Sequence, residues 1–177
     1  MANQRLVDFQ VKLMNRLQSA SEAGSLANWL AIEVVGFRYL IPLAEAGSII
    51  SLSESFQIEK VAHTKGWFLG VGNFRGASYA VVDLAAWFGV RAGKANLSEL
   101  ANHGAAFVTF HDSLGMSCAL LVDKIAGLRS DSQWKKMKPP KGMPVDGQYF
   151  SDSDGEVWQV MRLTDLARDE YFLSIEV

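Results

Sequence analysis

The chain has 177 residues, of which 49% are apolar and 20% charged, and its formal net charge is −2. A chain of this size buries roughly 70% of the surface its unfolded form exposes, so it needs neither metal nor disulfide to stay folded, and disorder is not the default. The near-neutral charge counts against nucleic acid, whose binders carry a basic excess because counterion release from phosphates drives affinity.

Residues 4–19 are predicted as a helix. Leu6, Phe9, Leu13 and Leu17 recur at spacings of three and four, and Gly and Pro are absent. Its apolar stripe must pack on its own domain or on a partner. Residues 19–25, rich in Ser, Ala and Gly, read as a linker. The organisation expected is therefore a helix and linker at 1–25 and a main domain at 26–177. The start of the chain has no continuous apolar core of a secretory signal, and no apolar run approaches the roughly 20 residues of a membrane span. A cytoplasmic protein without membrane insertion is expected.

From Leu26 the periodicity changes. Leu30, Ile32 and Val34 alternate with Ala31 and Glu33, which predicts a strand with one buried face. Gly36 punctuates a hairpin, and residues 37–42 return. Further strands are predicted at 48–52, 56–61 and 68–73. Phe74-Arg75-Gly76-Ala77 reads as the next hairpin turn, followed by a strand over 78–83. A short helix over 84–88, with Asp83 placed to cap it, stops at Gly89. Residues 91–104 read as a polar, mobile connector that divides the strands into two halves.

In the second half, strands at 105–110 and 116–123 are joined by a turn at 111–115, with 125–128 continuing the second strand. Residues 130–144 read as a loop rich in Lys and Pro. Residues 149–150 and 157–161 flank a turn at 151–156. A closing helix over 163–167 follows cap signals at Thr164 and Asp165. Tyr171, Phe172 and Leu173 give the tail enough apolar weight to dock. The fold class is mainly β, and many short strands with turn signals every 8–12 residues or so point to small barrels or a sandwich.

Signals for chemistry are weak. Gly70-Val71-Gly72-Asn73-Phe74-Arg75 begins like a dinucleotide fingerprint, but Arg75 stands where the last glycine is needed, and a strand follows instead of a helix. Asp152, Asp154 and Glu156 resemble the start of a calcium loop, but Val157 and Leu163 occupy the glycine and glutamate positions. His63, His103 and His111 stand apart, and no pair has structural-zinc spacing. Cys118, the single cysteine, lies in an apolar run and reads as a buried free thiol in a strand, in keeping with a reducing compartment. Lys135, Lys136, Lys138 and Lys141 beside Trp134 read as a solvated loop, or as a patch for phosphate or an acidic partner. No catalytic residue, cofactor or metal is expected.

Two motifs together carry a resemblance. Gly70-Val71-Gly72-Asn73-Phe74-Arg75-Gly76 is followed by Val81-Val82-Asp83-Leu84, and Ala119-Leu120-Leu121-Val122-Asp123 echoes the second pattern. The segment resembles the CheW-like chemotaxis adaptor family over roughly residues 26–170. Within that family, the run from His63 through Trp67 to Gly76 and the extra N-terminal helix are similar to the PilI branch of the type IV pilus twitching-motility pathway. The resemblance implies two five-stranded β-barrel subdomains with short connecting helices. It implies a non-catalytic, stand-alone adaptor that bridges a chemoreceptor cytoplasmic tip to the regulatory domain of a CheA-type histidine kinase. By motif position, Ala46, Gly70, Asn73, Arg75 and Gly76 correspond to partner-binding places.

The sequence departs from the pattern where Ser48 replaces a common glutamate that can pair with the motif arginine. Arg75 is then either free or paired with Glu45 or Glu33. Ala62 and Gly66 stand where prolines are common, which predicts a looser loop. Two other classes compete. One is a nucleic-acid-binding barrel using Trp67, Phe68, Phe74 and Tyr79 as stacking residues. The other is an enzyme whose scattered His and Asp converge in one pocket.

Overall fold

Valine, isoleucine and aromatic residues in short alternating runs, broken by Gly-containing turns, make strands. The computed structural model describes residues 27–52 and 56–177, so the helix predicted at 4–19 lies outside the described residues. Two strands, β1 (Ala27–Val34) and β2 (Phe37–Pro42), begin one sheet. The chain then crosses to a second sheet and lays down β3 (Ala46–Ser51), β4 (Gln57–Glu59), β5 (Phe68–Phe74), β6 (Ala77–Asp83), β7 (Ala106–Phe110) and β8 (Cys118–Val122). It returns for β9 (Lys124–Ser130), β10 (Lys135–Met137), β11 (Tyr149–Ser151) and β12 (Val157–Val160). The first sheet has the order β10-β11-β12-β2-β1-β9 and the second β3-β7-β8-β6-β5-β4. Both are mixed, with parallel pairs at β12–β2 and β6–β8.

Several expectations change. Each sheet has six strands where five are expected; β4 lies inside the strand predicted at 56–61, whereas β10 is unforeseen, being three residues long and too short to show a period of two. The Lys- and Pro-rich loop contains β10, an edge strand whose lysines discourage further pairing. The connector at 91–104 contains α2 (Leu97–Asn102), which follows α1 (Leu84–Trp87). Asn96 Oδ1 caps α2 by accepting the Glu99 N–H at 3.2 Å. That connector does not divide the sheets, because residues on both sides of it belong to the second sheet. Nor does 125–128 continue β8: β9 pairs with β1 in the first sheet.

The first sheet must curl. Its edge strands would lie about 24 Å apart if it were flat. Only four residues, Asp131–Trp134, separate β9 from β10 on opposite edges, and the step from Ser130 to Lys135 spans at most about 18 Å. Curling explains why β1 buries both faces rather than one. Leu30, Ile32 and Val34 enter the main core between the sheets, while Ala31 packs with Leu40 and Trp158 inside the first sheet. The second sheet has its own inner cluster of Ile50, Val81, Phe107 and Leu121, against which Leu97 and Leu100 of α2 pack.

The main core also takes Leu163 and Leu166 of α3 (Leu163–Leu166) and Phe172 of α4 (Glu170–Leu173). The tail is docked as expected: Phe172 stacks on Trp67 with ring centres 5.9 Å apart. Beyond it, Ile175 accepts the Lys65 N–H at 2.8 Å, and the Val177 N–H reaches His63 O at 3.2 Å. The loop expected to be loose is therefore fastened from its far side. Cys118 is buried in β8, and burial pushes its thiol up to about 12. Among the described residues no helix is long and apolar enough to cross a membrane.

Candidate partner-binding surface

The β5–β6 hairpin is closed by Arg75 and Gly76, with φ of 48° and 83°. Positive φ at both central residues is what a two-residue type I′ turn requires. Directly before the turn, Asn73 faces Ser78 across the strands, and the Ser78 hydroxyl donates to Asn73 Oδ1 at 2.6 Å. The hairpin is thus braced by its own residues. At its tip the Arg75 guanidinium lies 4.9 Å from the Phe74 ring centre and is exposed. Among the described residues it has no ion pair.

Glu45, one of the two partners proposed for Arg75, is engaged elsewhere. It lies in the three-residue crossing from β2 to β3, 9% exposed. Its carboxylate accepts the Thr164 N–H at 3.2 Å and faces Arg162 Nη1 at 3.4 Å. So α3 is capped by a carboxylate from across the fold, in place of its own Thr164 or Asp165 side chains. Glu33, the other partner, makes no ion pair among the described residues.

A second carboxylate fastens the return crossing. Asp123 is the single residue between β8 and β9. Arg91 Nη2 donates to Asp123 Oδ1 at 2.5 Å, and the Val35 N–H donates to Asp123 Oδ2 at 2.6 Å. The same guanidinium reaches Asp83, with Nε 3.0 Å from Oδ2. Asp83 caps α1 as expected, accepting the Ala85 and Ala86 N–H groups at 3.1 and 3.2 Å. Burial raises the Asp83 carboxyl above its ordinary range, against the opposing pull of Arg91 and the cap hydrogen bonds. Both aspartates of the repeated motif therefore meet at one arginine. In the sequence Arg91 reads only as part of a polar connector, since nothing beside it announces that it joins two carboxylates 8 and 32 positions away.

The five motif residues do not form one compact cluster. Ala46 is buried in the main core at the start of β3. Gly70 is buried in a bulge of β5, at φ +133°, where an added Cβ would overlap the Glu59 carbonyl. Asn73, Arg75 and Gly76 share the exposed tip, about 16 Å along the strand from Gly70 to Arg75. Gly47 was missed. It sits in a bulge of β3, where a Cβ would lie 2.5 Å from Thr109 Oγ1 and 2.8 Å from Phe110 O. That bulge turns Ser48 and Ile49 outward.

None of the four proposed stacking residues is fully exposed. Trp67 and Phe68 are buried in the main core, and Phe74 and Tyr79 pack partly buried on the inner cluster of the second sheet. Among the described residues no group of three His, Cys, Asp or Glu side chains is arranged to hold a metal ion.

The family model for the CheW-like domain matches residues 28–170. Among solved structures, the scaffolding protein TtCheW from Thermoanaerobacter tengcongensis is similar with a TM-score of 0.58 and 15% identity, over 78% of this chain and 91% of that one. At that identity the likeness concerns the fold. No curated protein matches the chain.

Proposed function

The chain belongs to the CheW-like domain family, and from that premise we propose that it is a non-catalytic adaptor in chemosensory signalling. It couples the cytoplasmic tip of a chemoreceptor to the CheW-like regulatory domain of a CheA-type histidine kinase. The wording of the His63–Gly76 segment favours the PilI branch, with type IV pilus twitching motility as the output. Ala46, Gly70, Asn73, Arg75 and Gly76 serve partner binding in two ways: the first two shape the sheet, and the last three present its tip.

The observation that carries this reading is Arg75. An exposed guanidinium with no acidic partner among the described residues, held at the end of a braced hairpin, is preorganised for a carboxylate or carbonyl on another protein. The test is a calorimetric titration with the regulatory domain of the host's CheA-type kinase and with a receptor-tip peptide. Micromolar or tighter saturable binding to both, weakened at least tenfold by Arg75→Ala for one of them, is expected. Absence of binding to either partner, with all proteins folded, overturns the adaptor reading.

A further inference from the structure

Below the bulge at Gly70, the edge of the second sheet opens into a cleft of about 400 Å³. Its walls are apolar: Ile58 from β4, Leu69 from β5 and Leu97 from α2. Its other lining residues include three lysines, Lys60, Lys65 and Lys94, and among the described residues no acidic side chain lines it. Lys65 is partly engaged, with its ammonium 4.1 Å from the Tyr171 ring centre. Lys60 and Lys94 are exposed and make no ion pair among the described residues.

The walls are fixed before any ligand arrives. The C-terminal residues fasten the loop through Lys65, and the Asn96 cap sets the start of α2 and hence Leu97. A preformed apolar cleft spends little on ordering when it binds, and its volume falls in the range of small-ligand sites. Cations around an apolar floor, with no acid beside them among the described residues, select the sign of the occupant's charge.

We propose that this cleft is a binding site for a small amphipathic anion, an apolar body of medium length with a carboxylate head. The body lies on Ile58, Leu69 and Leu97, and the head meets Lys60 and Lys94. The site is separate from the Arg75 tip, and its occupancy is independent of the adaptor reading.

The test uses the full chain and three probes of equal length: decanoate, decan-1-ol and decylammonium, each titrated below its aggregation concentration. Decanoate is expected to bind saturably at one site, at least tenfold more tightly than the other two. The double variant Lys60→Glu/Lys94→Glu should weaken decanoate at least tenfold and reverse the preference toward decylammonium. A second variant, Gly66→Trp, fills the cleft mouth from a position where a Cβ meets open space and no positive φ is needed. It should weaken decanoate with circular dichroism and Tm unchanged. No saturable binding, equal binding of decanoate and decanol, or binding undiminished in both variants overturns the site.

Discussion

Val35 and Arg75 occupy the same place in two hairpins. Each is the first residue of a two-residue turn, with φ of 46° and 48°, and each is followed by a glycine with φ near 80°. Left-handed backbone is uncommon for any residue with a Cβ and least tolerable for a β-branched one. Yet the β-branched residue is the one whose backbone is tied down: the Val35 N–H donates to Asp123 at the crossing between the sheets. Among the described residues, the side-chain brace of the Arg75 turn is Asn73 with Ser78, and the arginine makes no ion pair. One turn geometry thus serves two ends. In β1–β2 it locks a hairpin into the junction of two sheets, and in β5–β6 it presents a cation.

The largest expected effect is at the base of the presenting hairpin. Gly70→Ala puts a Cβ into the Glu59 carbonyl at a φ that only glycine adopts freely. A loss of about 3 kcal/mol in urea-monitored stability is expected. A loss near zero would mean that β4 moves aside and does not set the shape of this edge. Next is the tie itself. Asp123→Ala removes the acceptor of the Val35 N–H and leaves Arg91 with Asp83 alone. A cost of about 2 kcal/mol is expected. Arg91→Ala should cost a similar amount, and the double variant should cost clearly less than the sum, because the two share one network. Strict additivity would show that the network is a coincidence of geometry.

Much of this was legible in the sequence. The strands expected at 68–73 and 78–83, each one residue longer in the structure, the turn between them and the Asp83 cap follow from apolar runs, a glycine and an aspartate before an apolar run. Which strands share a sheet was not legible. Alternation reports burial, not pairing, so the interleaving of first and last strands around the middle ones had no local signal. The same limit hid Asp123, Arg91 and Glu45. Each has a partner 32 to 119 positions away, and nothing beside it in the sequence announces that partner. Arg75 was legible as a motif residue, but its lack of an ion pair among the described residues was not, since that depends on Glu45 facing Arg162 instead.

A smaller effect probes the strain that the tied turn carries. Val35 is 44% exposed, so little packing is lost by replacing it. Asparagine tolerates left-handed backbone far better than valine. Val35→Asn is expected to stabilise the protein by about 1 kcal/mol while keeping the bond from its N–H to Asp123. Destabilisation would show that the Val35 side chain contributes packing that outweighs its backbone strain. Combining it with Asp123→Ala sharpens the comparison: the gain should persist, because strain relief acts at Val35 whether or not the carboxylate is present.

The smallest effect on stability belongs to Arg75→Ala. The guanidinium is exposed and lies against the ring of the residue before it, an interaction worth about 0.5 kcal/mol at such a site. Alanine at positive φ costs about what arginine does, since both carry a Cβ. The unfolding free energy should therefore stay within about 0.5 kcal/mol of the parent's, the range of ordinary surface changes. Arg75→Gly, by contrast, should lose the side chain and relieve the turn, so that stability rises while the cation is gone. If the two variants lose partner affinity equally, the side chain and not the turn makes the contact. If Arg75→Ala unfolds the hairpin, seen as lost protection of the β5 and β6 amides, the two turns are alike after all, and the arginine belongs to the fold.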